Sequence, residues 1–112
     1  MSKPTTRPSS QYSRNALLLL GTLIRESRIE KSMTTMDLAA RAGISRSLLL
    51  RIEQGDPGCS IGAVFETAAI CGVPLFEQDQ RSLAAQLQNH SEKLTLLPKA
   101  VKAGKKAVKD DF

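Results

Sequence analysis

The stretch TMDLAARAGISRSLLLRIEQG, residues 35–55, decides the fold. Its first half places Leu38, Ala39 and Ala42 at helical spacing, which predicts a short helix over Met36–Ala42 with Thr35 as its cap. Gly43 supplies the left-handed residue that ends such a helix, and Ser45 opens a second one reaching to about Gln54. Leu38, Ile44, Leu49 and Ile52 have the spacing to bury between the two helices. Ala39 stands where the helices cross, and a small residue there lets the backbones approach. Two short helices joined by a tight turn are therefore expected.

The flanking segments supply the rest of an all-α chain. Leu17, Leu20 and Ile24 recur at i, i+3 and i+7 and predict a helix from Asn15 to about Lys31, with a break at Ser32–Thr34. On the other side, Gly55-Asp56-Pro57-Gly58 is turn chemistry. Ser60 can cap a helix over Ile61–Cys71 with Ile61, Val64, Ala68 and Cys71 on one face, and Gly72 stops it. Val73–Phe76 reads as a short extended apolar piece, and a last helix runs from near Asp79 to Leu97 before Pro98. The expected organisation is a flexible arm over 1–14, a domain over 15–76, a C-terminal helix over 77–97 and a lysine-rich tail over 98–112. The tail repeats Lys-Ala-Val-Lys at 99–102 and 106–109 and is low in complexity.

Composition narrows the function classes. A chain of 112 residues makes one small domain. Net charge is +5, with +3 on residues 1–14 and +3 on residues 98–112, so the basicity sits in the two tails and in residues 15–55, which carry +2. Basic arms of this kind either contact nucleic acid or act as solvated tails that favour solubility. No apolar run approaches the roughly 18 residues of a membrane span, and Met1–Asn15 lacks the design of a secretory signal, so a cytoplasmic protein is expected. Two cysteines make no disulfide scaffold, and the single His90 leaves the usual zinc patterns unfilled. Four aromatics without Trp argue against a stacking platform for single strands. No serine–histidine–acid set, P-loop or dinucleotide fingerprint is present, so neither catalysis nor a cofactor or metal is expected. Cys59 precedes a helix start, where a thiol pKa can fall, or is a loop cysteine without a role; Cys71 suits a core face.

Two helices at a tight turn are the design that lays its second helix in the DNA major groove. Arg46 and Ser47 are the first outward residues after the Ser45 cap, and Leu50 and Arg51 follow one turn later. Arginine can pair bidentately with guanine, serine can donate or accept, and leucine offers apolar contact to a thymine methyl. Thr34 and Thr35 open the preceding helix, where amides and hydroxyls suit a phosphate; Gln54 can reach the other backbone wall. Taken alone, two arginines are more often solvated surface residues; placed on this helix of this motif, they point to DNA contact.

Residues 18–76 resemble the helix-turn-helix domain of the Cro/CI (Xre) repressor family, a lambda-repressor-like bundle of five short helices. Arg28, Thr35, Leu38-Ala39, Gly43-Ile44-Ser45, Ile52-Glu53-Gln54-Gly55, Ala68 and Gly72-Val73 carry the resemblance. It implies that Arg46, Ser47 and Arg51 read bases, that Thr35 holds a phosphate, and that Arg28 and Glu53 form a salt bridge between the first helix and the recognition helix. Residues 51–58, Ser60–Val64 and Val73–Phe76 are in addition similar to HipB-type antitoxins, which are encoded beside HipA-type kinase toxins and repress their own operon. That resemblance implies a short strand at 73–76 pairing across a dimer, and a kinase toxin or its companion protein as partner.

A domain of about 60 residues is marginal alone. The last helix carries Leu83, Leu87, His90, Leu94 and Leu97 at spacings of 4, 3, 4 and 3, a heptad-like seam. The seam either packs on its own domain or pairs two copies. Val73, Leu75, Phe76, Leu83, Leu87 and Leu94 are the candidate dimer contacts, and pairing would set two recognition helices about 34 Å apart on a palindromic operator. His90 on the seam reads as a packed or rim histidine.

Overall fold

The computed structural model describes residues 9–76 and 78–101. The first eight residues of the expected arm, and the expected tail from Lys102 onward, lie outside the described residues. Among the described residues the fold is all-α, with five helices in the order α1 (Gln11–Glu30), α2 (Thr35–Ala42), α3 (Arg46–Glu53), α4 (Ile61–Cys71) and α5 (Gln80–Leu96). The chain forms two units, residues 1–77 with α1–α4 and residues 78–112 with α5. Among the described residues no helix is long and apolar enough to cross a membrane.

Each helix opens on a side chain that accepts from a first-turn amide: Ser10, Thr34, Ser45, Ser60 and Asp79. Two of these caps correct the sequence reading. Helix α1 starts at Gln11, ahead of the expected Asn15, because the Ser10 hydroxyl accepts from the Ser13 amide at 3.0 Å and holds a polar turn that has no apolar periodicity. Helix α2 is capped by Thr34 and not by Thr35. The Thr34 hydroxyl accepts from the Asp37 amide and the Asp37 carboxylate accepts from the Thr34 amide, both at 3.0 Å. That reciprocal pair needs an acid three residues beyond the cap, and only Thr34 has one. Gly43 and Gly72 end α2 and α4 in the left-handed conformation.

The core of the first unit gathers Ile24, Met33, Leu38, Ala39, Leu49, Ile52, Ala68, Cys71 and Val73. Ile44 packs at its edge, half-buried. On α4 the expected inward Ile61 is instead 69% exposed, at the very start of the helix, while Ala63 and Val64 pack against the core. Its place on the buried face goes to Thr67, whose hydroxyl donates to the Ala63 carbonyl at 2.7 Å and so enters the core satisfied. Val73, expected at a dimer surface, is buried in this core. Residues 73–76 form no strand within the chain.

Helix α1 crosses the end of α3 at backbone distance. A Cβ on Gly21 would stand 2.5 Å from the Ile52 carbonyl oxygen and 2.7 Å from that of Glu53. Gly55 follows with φ +75°, and a Cβ there would stand 3.0 Å from the Leu18 backbone. In the second unit, α5 has no buried residue; Leu83 is half-buried, and Leu87, His90 and Leu94 are exposed.

Gly21→Ala therefore forces two helix backbones apart and should destabilise the domain by about 1–3 kcal/mol in urea denaturation. Gly62→Ala, where a Cβ meets nothing within 4 Å, should be neutral or mildly stabilising. Equal stability of the two variants would contradict the close crossing.

Candidate nucleic-acid interface

The orientation of α3 is fixed from behind. Arg28 of α1 and Glu53 at the end of α3 form a buried two-pronged pair, Nε to Oε2 at 2.7 Å and Nη2 to Oε1 at 3.2 Å. The remaining prong, Nη1, donates to the Met33 carbonyl at 3.1 Å, just before α2. One guanidinium thus ties α1, the entry to α2 and the exit of α3. Its hydrogen bond to Glu53 is the main cause holding the Arg28 pKa above its ordinary value.

With Leu49, Ile52 and Glu53 buried, the 100° per residue of a helix turns Ser47, Leu50, Arg51 and Gln54 outward. Ser47, Arg51 and Gln54 are exposed and Leu50 is half-buried. Arg46, also exposed, flanks this face at the start of α3, and its Nε donates to the Thr35 hydroxyl at 2.9 Å. The tight turn thereby brings the openings of α2 and α3 together. Ser45 holds the first turn of α3 by accepting from the Leu48 amide at 3.0 Å.

At the start of α2 the Thr34 hydroxyl and the amides of Thr34 and Asp37 are engaged in the cap. The amides of Thr35 and Met36 have no intrahelical acceptor, and the Thr35 hydroxyl, accepting from Arg46, still has a proton to donate. This end can receive a phosphate through Thr35 more directly than through Thr34 or Ser45, whose side chains work as caps.

Arg51 is not a free arginine. Its Nε donates to the Asp56 carboxylate at 2.8 Å, and the other Asp56 oxygen accepts from the Gly58 amide at 2.7 Å. Sequence reasoning took Asp56 as part of a turn and did not connect it to Arg51. It also passed over Gly21, although a glycine inside a helical apolar pattern costs helix propensity and so can mark a packing constraint. Cys59 packs against the core, and burial is the main cause pushing its thiol up rather than down. Of the proposed dimer residues in the first unit, Leu75 is half-buried, while Phe76 is 71% exposed and meets Phe65 edge to face at 6.3 Å.

A helix pair with a tight turn, an outward polar face on its second helix and an open helix start beside it is a DNA-binding helix-turn-helix. The helix-turn-helix domain family matches residues 19–86, which take in most of α1, all of α2–α4 and the opening turns of α5. The chain belongs to this helix-turn-helix family, in the Cro/CI (Xre-like) arrangement, and is a DNA-binding regulator. No curated protein matches the sequence.

Removing Glu53 leaves Arg28 buried without its partner. Glu53→Ala should lower stability by about 3–5 kcal/mol in chemical denaturation. The double variant Arg28→Met/Glu53→Leu should recover much of that loss, short of the contact to the Met33 carbonyl. A double variant as unstable as the single one would show that charge pairing is not the issue.

The Asp37 carboxyl is held below its ordinary value of 3.8, chiefly by the Thr34 amide and then by the Thr34 side chain. A lowered folded value means the stabilisation is full above the ordinary value and is lost as pH falls through the folded one. The Tm difference between wild type and Asp37→Asn should therefore narrow progressively as pH falls below about 5. A difference independent of pH would rule out the charged cap.

Proposed function

We propose that the protein is a sequence-specific transcriptional repressor that binds the operator of its own gene as a homodimer. The observation that carries this reading is the outward face of α3 (Ser47, Leu50, Arg51 and Gln54, with Arg46 at its edge) set beside the open start of α2. Ser47, Arg46 and Arg51 reach base edges in the major groove, while Thr35, Thr34, Ser45 and Gln54 sit near the phosphate walls. On this reading the protein works in the cytoplasm, on the nucleoid.

Dimerisation is supported by α5. No residue of α5 is fully buried: Leu83 is half-buried, and Leu87 and Leu94 are 68% and 67% exposed, which leaves an apolar stripe to cover. Pairing two copies along Leu83, Leu87, His90, Leu94 and Leu97 covers the stripe. Two copies also double the number of base pairs read, which a single helix-turn-helix needs for useful specificity.

A second reading adds a toxin partner. The resemblance of residues 51–58 and 60–64 to HipB-type antitoxins supports an autoregulating antitoxin that holds a HipA-family kinase or its companion protein. Tyr12, Leu19 and Leu23 favour it, because they form an exposed apolar stripe on the side of α1 away from Gly21 and Arg28, which face α3. DNA and a protein partner can then occupy different faces.

Footprinting of the promoter upstream of its own gene, with and without the neighbouring gene product, tests both readings. Protection of two half-sites about one helical turn apart is expected, with affinity at least about a thousandfold above mixed-sequence duplex and falling steeply with salt. Equal affinity for both duplexes would contradict the repressor. A neighbouring kinase that co-purifies without DNA supports the antitoxin reading, and a phage integration neighbourhood with no kinase overturns it.

A further inference from the structure

We infer that Asp56 is a positioning residue for base recognition, holding the Arg51 guanidinium so that its terminal edge is presented to a guanine. The inference rests on the DNA-reading role proposed for α3. Asp56 lies in the turn after α3 and would not itself reach the bases. Its role is carried by three linked contacts. Arg51 Nε donates to one Asp56 oxygen at 2.8 Å, the Gly58 amide donates to the other at 2.7 Å, and the Asp56 amide donates back to the Arg51 carbonyl at 3.0 Å. The carboxylate is therefore anchored at both ends of the turn before it meets the arginine.

Gly58 completes the cradle. A Cβ there would stand 3.2 Å from Arg51 Nη2 and 3.3 Å from the Asp56 oxygen, so the bare backbone makes room for the guanidinium. Because Asp56 engages Nε, the Nη1 and Nη2 edge is left for the paired acceptors O6 and N7 of guanine. An unrestrained arginine must give up rotamer entropy to hold such a geometry, and the Asp56 contact removes part of that loss before DNA arrives. The pair is half-exposed, and exposed ion pairs of this kind contribute little to folding stability. Arg51 is the main cause lowering the Asp56 carboxyl below its ordinary value, with the Gly58 amide second, so the contact is present at neutral pH. Asp56 also places a negative charge next to the duplex, which weakens attraction to phosphate of any sequence. Selectivity thus gains from the residue while general affinity does not.

The test is selection of bound duplexes from a randomised pool with the full chain. Wild type should yield a consensus that includes a guanine whose preference disappears in Arg51→Ala. Asp56→Asn keeps an oxygen for the Gly58 amide but turns a donor toward Arg51, and Asp56→Ser keeps the turn without reaching Arg51; either serves if the other folds poorly. Both should lose guanine preference at that same base pair by about fivefold or more, with the rest of the consensus kept and affinity for mixed-sequence duplex unchanged or higher. Guanine preference retained in both variants, or affinity lowered equally on all sequences, would overturn the positioning role. A wild-type consensus with no position that depends on Arg51 would also overturn it while leaving the repressor reading intact. Absence of any consensus would instead remove the DNA-reading role on which it rests.

Discussion

A guanidinium and a carboxylate buried together are costly to desolvate, and their presence at the junction of α1 and α3 has to be matched by geometry. Arg28 meets that condition with all its hydrogen bonds on one structural line: two to Glu53, one to the Met33 carbonyl. An apolar pair could fill the same volume but would not fix the rotation of α3 about its axis, because hydrophobic contact is non-directional. The rotation matters here because it decides which residues face outward. A shift of one residue's worth, 100°, would turn Arg51 away and bring buried Ile52 to the surface. Gly21 and Gly55 reinforce the constraint from the steric side, since their missing side chains let α1 lie against the end of α3.

From that anchor the rest of the proposed recognition surface follows. Ser45 and Thr34 stiffen the openings of α3 and α2, and the Arg46–Thr35 contact joins them. Both arginines of α3 are held through Nε, one by a hydroxyl and one by a carboxylate, so each keeps its terminal edge for an outside acceptor. A surface that must discriminate base edges benefits from such restraint, because every side chain frozen before binding removes an ordering cost from the complex.

Most of the fold was legible in the sequence because its signals are local. Gly43, Ser45, Ser60 and Gly72 mark helix ends by conformational preference alone, and Leu38, Leu49, Ala68 and Cys71 mark the core by period. The misses have physical reasons. The first turn of α1 is polar and is set by one cap; two adjacent threonines compete for the start of α2; and Ile61 follows the helical period beyond the end of the core. Within the candidate site, the outward residues of α3 could be placed from spacing, but the Arg51–Asp56 and Arg46–Thr35 contacts could not. They depend on where a turn folds back and how two helices cross, and spacing along one helix carries no such information. Val73 shows the same limit, since an apolar residue after a helix suits a core and an interface equally.

The central claim is that the outward face of α3 enters the major groove. Methylation interference addresses it most directly, because dimethyl sulfate modifies guanine at N7 in the major groove and adenine at N3 in the minor groove. On a duplex that the protein selects, methylation at guanine N7 should block binding in two patches about 10 base pairs apart, while adenine N3 methylation between them should be tolerated. Interference confined to adenine N3, or none at either position, would contradict the account.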